Sequence, residues 1–261
     1  RRVLERAKNL QLISRIGIGL DNVDLGAAKE LGIRVSYTPD APAPAVSELT
    51  IGLMISLMRY IQIANIEMHN ARWNRFFGKR FPSITIGIIG VGRIGRRVIN
   101  HLSGFNCKEI LVNDLNEDYK TSFPKNLSWV DKETIYKNSD IITLHLPLNK
   151  STKDLITLKE IALMKEGVML INTSRGGIIN ENDLYQSLKS GRISSAAIDV
   201  FEEEPYSGNL CTLDNCLITS HMGSMTEDCR SRMEIEATEE ARRYINGEIL
   251  KFDVPKEEYE N

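Results

Sequence analysis

An α/β fold, with a parallel sheet covered by helices on both faces, is what this sequence predicts, and three observations predict it. Short, nearly continuous apolar runs at residues 84–89, 109–113, 140–145, 168–172, 195–200 and 216–219 alternate with helical stretches such as Asn182 to Leu188. Strands that are apolar on both faces belong to sheets buried on both sides. The first of these runs leads straight into Gly90-Val91-Gly92-Arg93-Ile94-Gly95, and the second is closed by a carboxylate, Asp114. Strand, glycine turn, helix, strand and acid in that order form the dinucleotide-binding pattern of a Rossmann unit.

Ahead of that unit, Leu12 to Ile16 reads as a strand, Leu25 to Leu31 as a short helix and Arg34 to Tyr37 as a second strand. The loop Pro39-Asp40-Ala41-Pro42-Ala43-Pro44 is stiff and proline-rich and is expected to lie outside regular structure. A helix is expected from Ser47, its candidate N-cap, towards His69, apolar around most of its circumference. After His221 one more long helix is expected over Glu227 to Tyr244, and then an acidic tail, Lys256 to Asn261, expected to fray.

The glycines follow from how closely a pyrophosphate must approach backbone. Gly90 allows the turn off the strand, Gly92 has no Cβ to block phosphate, and Gly95 lets the following helix lie against the sheet. Arg93 and Ile94 open that helix, whose first N–H groups face an anion. The Asp114 carboxylate suits both hydroxyls of an adenosine ribose and repels a 2′-phosphate, and neither Leu115 nor Asn116 offers a cation for one, so NAD is expected over NADP.

Composition narrows the function classes. The chain has 261 residues, 42% hydrophobic and 26% charged, enough for one large or two medium domains. Its 33 basic and 35 acidic residues are intermixed for a net charge of −2, which leaves no nucleic-acid footprint. The longest apolar run, Leu49 to Met58, is far short of the roughly 20 residues of a membrane span. Cys107, Cys211, Cys216 and Cys229 form no Cys-x-x-Cys pair and have no neighbouring His pair, so no metal site and no disulfide framework are expected. Reduced thiols and the lack of a signal segment lead to an expectation of a cytoplasmic enzyme.

Candidate chemistry lies where an open parallel sheet presents residues to a ligand, behind the strands. Arg175, in Asn172-Thr173-Ser174-Arg175-Gly176-Gly177, can hold an anionic carboxylate through two donors. His221 follows the strand at 216–219 and titrates near neutrality, which suits the proton transfer that accompanies hydride transfer to a carbonyl. Glu204 could accept from the second imidazole nitrogen and orient it. Each has a plain structural alternative: a turn arginine, a packing histidine, a solvated glutamate.

Five ordered segments, Gly90 to Gly95, His145-Leu146-Pro147-Leu148, Asn172 to Gly177, Ala197 to Pro205 and His221-Met222-Gly223-Ser224, closely resemble the D-isomer-specific 2-hydroxyacid dehydrogenases, and within them the phosphoglycerate dehydrogenase branch. The resemblance covers almost the whole chain, including Gly17 to Asp24 and Trp73. It implies a Rossmann NAD-binding domain at 81–224 inserted into a smaller flavodoxin-like substrate domain, made of residues 1–80 with a junction helix and of 225–261. It also implies roles. Arg175 would bind the substrate carboxylate and carbonyl, His221 would be the acid/base, and Glu204 its partner. Arg93 and Ile94 would meet the pyrophosphate, and Asp199 the nicotinamide carboxamide. His145, Leu146, Pro147, Thr173, Ser174, Gly223 and Ser224 would flank the cofactor. Arg15, Ile18 and Gly19 would close on the substrate.

The resemblance further implies a homodimer formed through the long helix. Two departures accompany it. The family's first strand–helix–strand is absent, so the chain is expected to be incomplete at its N-terminus, and no C-terminal regulatory domain is expected. The loop Pro39 to Ala45 lacks the Asn and Ser that phosphoglycerate dehydrogenases tend to carry, which weakens the case for a phosphorylated substrate. Glyoxylate or hydroxypyruvate reduction, and a non-enzymatic NAD-sensing role like that of the C-terminal-binding-protein corepressors, are the alternatives.

Overall fold

The computed structural model describes residues 1–116 and 124–259, and the chain divides into two compact units, residues 46–223 and residues 1–45 with 224–261. The sequence expectation drew the boundary at 80/81 instead. Contacts draw it earlier because Leu53, Met54, Leu57 and Met58 of helix α3 (Ala43–Arg59) share one core with Ile84, Ile86 and Ile88.

The larger unit is a seven-stranded, wholly parallel sheet. Its strands are β3 (Thr85–Ile89), β4 (Glu109–Asn113), β5 (Leu127–Trp129), β6 (Ile141–Leu144), β7 (Val168–Asn172), β8 (Ile193–Ile198) and β9 (Cys216–Ile218), in the order β5-β4-β3-β6-β7-β8-β9. Chain order reverses between β3 and β6, so the turn after β3 opens at the switch point where such sheets bind ligands. In β3, Ile86 and Ile88 face one core, with Val98, Ile99 and Leu102 of α5 (Arg93–Ser103). Ile89 faces the other, with Ile135 of α6 (Lys132–Asn138), Ile161 of α7 (Leu158–Leu163) and Leu184 and Leu188 of α8 (Glu181–Lys189). Gly87 is required by packing, because a Cβ there would run into Ser139 and Ile135.

The smaller unit pairs β1 (Leu12–Ser14) with β2 (Arg34–Ser36) in parallel, joined through α2 (Leu25–Glu30), whose N-cap Asp24 accepts from the Ala27 N–H. Ile13, Ala28, Ile33, Val35 and Val254 form its core. The long helix α9 (Glu227–Ile245) is fixed to β1 by the Ser14 hydroxyl, which donates to the Ala237 carbonyl at 2.6 Å. Glu240 is fully buried there, and it accepts from Arg243 and from the Phe252 N–H.

Several elements differ from expectation. The helix expected from Ser47 begins four residues earlier, at Ala43, because Pro44 in a first turn lacks only an N–H that the helix does not use. Ser47 is therefore no cap: it is buried, its hydroxyl 3.3 Å from His101 Nε2. The same helix breaks at Tyr60 (φ +54°) and continues as α4 (Ile61–His69), bent by 63°. No single helix among the described residues is long and apolar enough to cross a membrane. Strand β5 and the short helix α1 (Arg2–Arg6) were not expected. Part of the tail expected to fray, Lys256–Tyr259, is a turn of 3-10 helix, while Glu260 and Asn261 lie outside the described residues.

Candidate active site

Strand β3 delivers the chain to Gly90, whose φ of +100° turns it off the sheet. A Cβ on Gly90 would strike the His145 carbonyl, and one on Gly95 would strike the Gly90 carbonyl, so backbone packing dictates both. Gly92 is different: a Cβ there would meet no atom within 4 Å among the described residues. None of them demands glycine at that position, whereas a phosphate resting on the turn would. Gly92 is also the N-cap of α5 and supplies no side chain to cap it, so Arg93 and Ile94 begin a helix whose positive end faces outward. These residues fit the pyrophosphate of NAD.

Asp114 sits beside the same turn. Its Oδ2 accepts from the Val91 N–H at 2.5 Å and its Oδ1 from the Asn116 N–H at 2.8 Å. The carboxylate thus steadies the glycine turn, a task the sequence did not reveal, and its remaining lone pairs are suited to ribose hydroxyls. Replacing Asp114 with Ala is expected to weaken NADH and to raise relative use of NADPH about tenfold, equivalent to ~1.4 kcal/mol. Steady-state kinetics with both cofactors check this, and unchanged selectivity would rule out the ribose role.

Behind β6, His145 packs under the turn, with Nε2 3.1 Å from the Thr143 hydroxyl and Nδ1 enclosed without a hydrogen-bond partner among the described residues. Burial pushes this imidazole down to about 3, so it is neutral near pH 7. Leu146 and Pro147 continue outward from it, Pro147 exposed.

After β7 the side chain of Asn172 organises the loop. Its Oδ1 accepts from both the Ser174 N–H (3.1 Å) and the Ser174 hydroxyl (2.7 Å), and its Nδ2 donates to the Arg175 carbonyl at 2.8 Å. Thr173 is buried, its hydroxyl 3.0 Å from that of Thr50 on α3. Arg175 emerges half-buried from this wiring, with Nη1 donating to the Ser174 carbonyl at 2.6 Å.

After β8 comes Asp199, fully buried. Its Oδ1 accepts from the Thr219 hydroxyl (2.5 Å) and the Met222 N–H (2.7 Å), its Oδ2 from the Gly223 N–H (2.8 Å), and its backbone carbonyl from the His221 N–H (2.8 Å). One carboxylate thereby holds the loop that carries His221 and keeps that residue at φ +53°, a left-handed conformation in which a side chain is strained by about 1–3 kcal/mol. The expectation for Asp199 was a contact with the nicotinamide carboxamide. Here both of its oxygens serve the loop between β9 and Gly223.

Glu204 reaches His221 directly: Nδ1 lies 2.8 Å from Glu204 Oε2 and 3.1 Å from Oε1, and Oε1 also accepts from the Phe201 N–H at 3.1 Å. Both side chains are partly exposed. With Nδ1 turned to the carboxylate, Nε2 is left for a substrate. Of the three catalytic candidates, Glu204 and His221 are joined outright. Arg175 belongs to a loop pressed against theirs, since a Cβ on Gly176 would collide with Phe201.

The substrate candidates Arg15, Ile18 and Gly19 belong to the smaller unit, as does Ser224. There Arg15 follows β1, its Nε donating to Asn22 Oδ1 at 3.2 Å and its Nη1 to the Ile16 carbonyl. The Gly17 N–H donates to the Thr38 hydroxyl at 2.8 Å, which shapes the turn through Ile18 and Gly19. Asn172 was missed as an organiser, although Asn-x-Ser after a strand is the signature of a side chain bonding the backbone two residues on.

Comparison with known proteins agrees with this geometry. Residues 51–223 match the family model described as D-isomer specific 2-hydroxyacid dehydrogenase, NAD binding domain. The chain is 41% identical over 243 residues to the hydroxypyruvate reductase of Thermotoga maritima, covering 91% of this chain and 78% of that one. It is 39% identical over 262 residues to the D-3-phosphoglycerate dehydrogenase of Methanocaldococcus jannaschii, covering 95% of this chain but 48% of that one. Among solved structures, the D-lactate dehydrogenase of Aquifex aeolicus complexed with NAD and lactic acid superposes with a TM-score of 0.89 at 28% identity, over 97% of this chain and 83% of that one.

Proposed function

Because the chain belongs to the D-isomer specific 2-hydroxyacid dehydrogenases and so to the NAD-dependent oxidoreductases of CH–OH groups, we propose that it interconverts a small D-2-hydroxy acid and its 2-oxo acid, with Arg175, Glu204 and His221 as the reacting set. The observation that carries this reading is the Glu204–His221 pair, 2.8 Å apart beside the Arg175 loop in a unit built to hold NAD. Bound NAD supplies the hydride acceptor or donor at its nicotinamide ring. Arg175 holds the substrate carboxylate through its forked donors and polarises the C2 oxygen. During reduction His221 Nε2 delivers a proton to that oxygen, and in the reverse direction it takes the proton back. Glu204 fixes the ring through Nδ1.

Within this class an unphosphorylated acid such as hydroxypyruvate or glyoxylate is favoured over 3-phosphoglycerate. Pro39, Asp40, Ala41, Pro42, Ala43 and Pro44 offer a phosphate few donors and one repelling carboxylate, and the Thermotoga maritima relative is named a hydroxypyruvate reductase. The test is NADH oxidation by the chain against glyoxylate, hydroxypyruvate, phosphohydroxypyruvate and pyruvate. Turnover fastest on phosphohydroxypyruvate would restore the phosphoglycerate dehydrogenase reading, and no turnover on any of them would leave NAD binding without catalysis.

The same reading includes a second copy of the chain. Helix α4 buries none of its residues, and the segment after it exposes Trp73 (73%) and Phe77 (98%), apolar side chains of the kind that a second copy would cover. Phe77→Asp together with Trp73→Asp is expected to convert a dimer to a monomer by light scattering after gel filtration; an unchanged mass would exclude this surface.

A further inference from the structure

The Arg175 and Glu204 loops meet on one peptide bond. A Cβ on Gly176 would collide with the carbonyl of Phe201 and with the Glu202 nitrogen. The N–H of that peptide donates to Glu181 Oε1 at 2.7 Å. Glu181 is the first residue of α8, but it is not that helix's cap: Asn180 caps it, accepting from the Asp183 N–H at 3.1 Å. Its carboxylate instead reaches across to the peptide one residue before the Glu202-Glu203-Glu204 turn is complete.

Under this junction lies a small cavity bordered by Gly176, Gly177, Glu181, Val200 and Leu210. Phe201 is anchored by stacking on Tyr206, ring centroids 4.0 Å apart, and beyond it the hydrogen bond from the Glu202 N–H to Glu181 sets how the peptide leads into the 202–204 turn. Burial holds the Glu181 carboxyl above the usual carboxylate range, with Glu202 and Glu203 adding to it, while the Glu202 N–H opposes the rise. From Phe201 the chain of contacts runs on: the Phe201 N–H donates to Glu204 Oε1, and Glu204 Oε2 holds His221 Nδ1.

We propose that Glu181 is a positioning residue for the reaction: by holding the Glu202 N–H it fixes the peptide on which the two catalytic loops meet, and so keeps Glu204 seated on His221. The proposal rests on the dehydrogenase reading of those residues. Without Glu181 the 202–204 turn can settle towards the cavity, Glu204 withdraws, and His221 Nδ1 loses the carboxylate that orients the ring.

Two readouts on the full chain test this, comparing Glu181→Ala with Glu181→Gln, which keeps an oxygen acceptor. The first is the 15N shift of His221 Nδ1 in 15N-histidine-labelled, ligand-free protein, assigned among the four histidines by a His221→Gln sample. The second is kcat and KM with NADH and the 2-oxo acid that the wild type reduces fastest. Glu181→Ala is expected to move the Nδ1 shift away from its wild-type value at constant pH, because Nδ1 loses its carboxylate partner. It should also lower kcat about tenfold and leave the KM for NADH unchanged. Glu181→Gln should behave as wild type in both. A wild-type His221 Nδ1 shift in Glu181→Ala, or equal damage in Glu181→Gln, overturns the proposal. Should Glu181→Ala fail to fold, Glu181→Asp, one methylene shorter, carries the same expectations. A wild type that reduces no 2-oxo acid overturns the dehydrogenase reading instead, and the NMR shift then separates that failure from a failure of the contact.

Discussion

Replacing His221 with Gln is expected to lower kcat by roughly 10²–10⁴-fold while leaving NADH affinity within about twofold. Glutamine keeps polarity and similar reach but cannot exchange a proton near neutral pH, so the loss falls on the step in which the C2 oxygen gains or loses its proton. The imidazole is singled out by its setting. His221 takes a left-handed backbone held by four hydrogen bonds to Asp199, and its Nδ1 is committed to Glu204, which leaves Nε2 as the working atom. His145, by contrast, is neutral and enclosed under the glycine turn and can take no such part. Stopped-flow and steady-state turnover with NADH, together with fluorescence titration of NADH, separate the two effects. Lost cofactor binding with intact turnover per bound cofactor would contradict the assignment.

Arg175→Ala is expected to be as severe, but in a different constant. Two charge-assisted hydrogen bonds to a carboxylate contribute about 3–6 kcal/mol together, so kcat/KM for the acid should fall roughly 10²–10⁴-fold. Lysine at 175 retains the charge without the fork and should recover part of the loss. The hydrogen bonds of Asn172 to Ser174 and to the Arg175 carbonyl do not involve the guanidinium, so the loop itself should persist and NADH should bind normally. A KM for the 2-oxo acid that does not move would exclude Arg175 as the carboxylate ligand.

Six strands of the larger unit were legible because each is a mostly apolar run; Ile84 to Ile89 and Val168 to Asn172 need no tertiary information. Strand β5 was not, since Leu127-Ser128-Trp129 is a three-residue segment paired with β4 at the edge of the sheet. The break at Tyr60 was invisible because neither glycine nor proline marks it. At the site, Arg175, Glu204 and His221 could be found from residue type and position behind strands. The duties of Asp199, Asn172 and Glu181 could not, because each acts on backbone N–H groups or carbonyls that any sequence would provide.

The buried Asp199 carboxylate has a kinetic consequence. Since it is held by three donors from its own chain, the proton-handling loop is set before any ligand arrives. Preorganisation of this kind keeps the cost of rearrangement out of the activation barrier. The imidazole is therefore expected to adopt one orientation through the whole catalytic cycle, leaving entry and exit of the ligands, rather than ordering of the loop, to limit how fast successive turnovers follow one another.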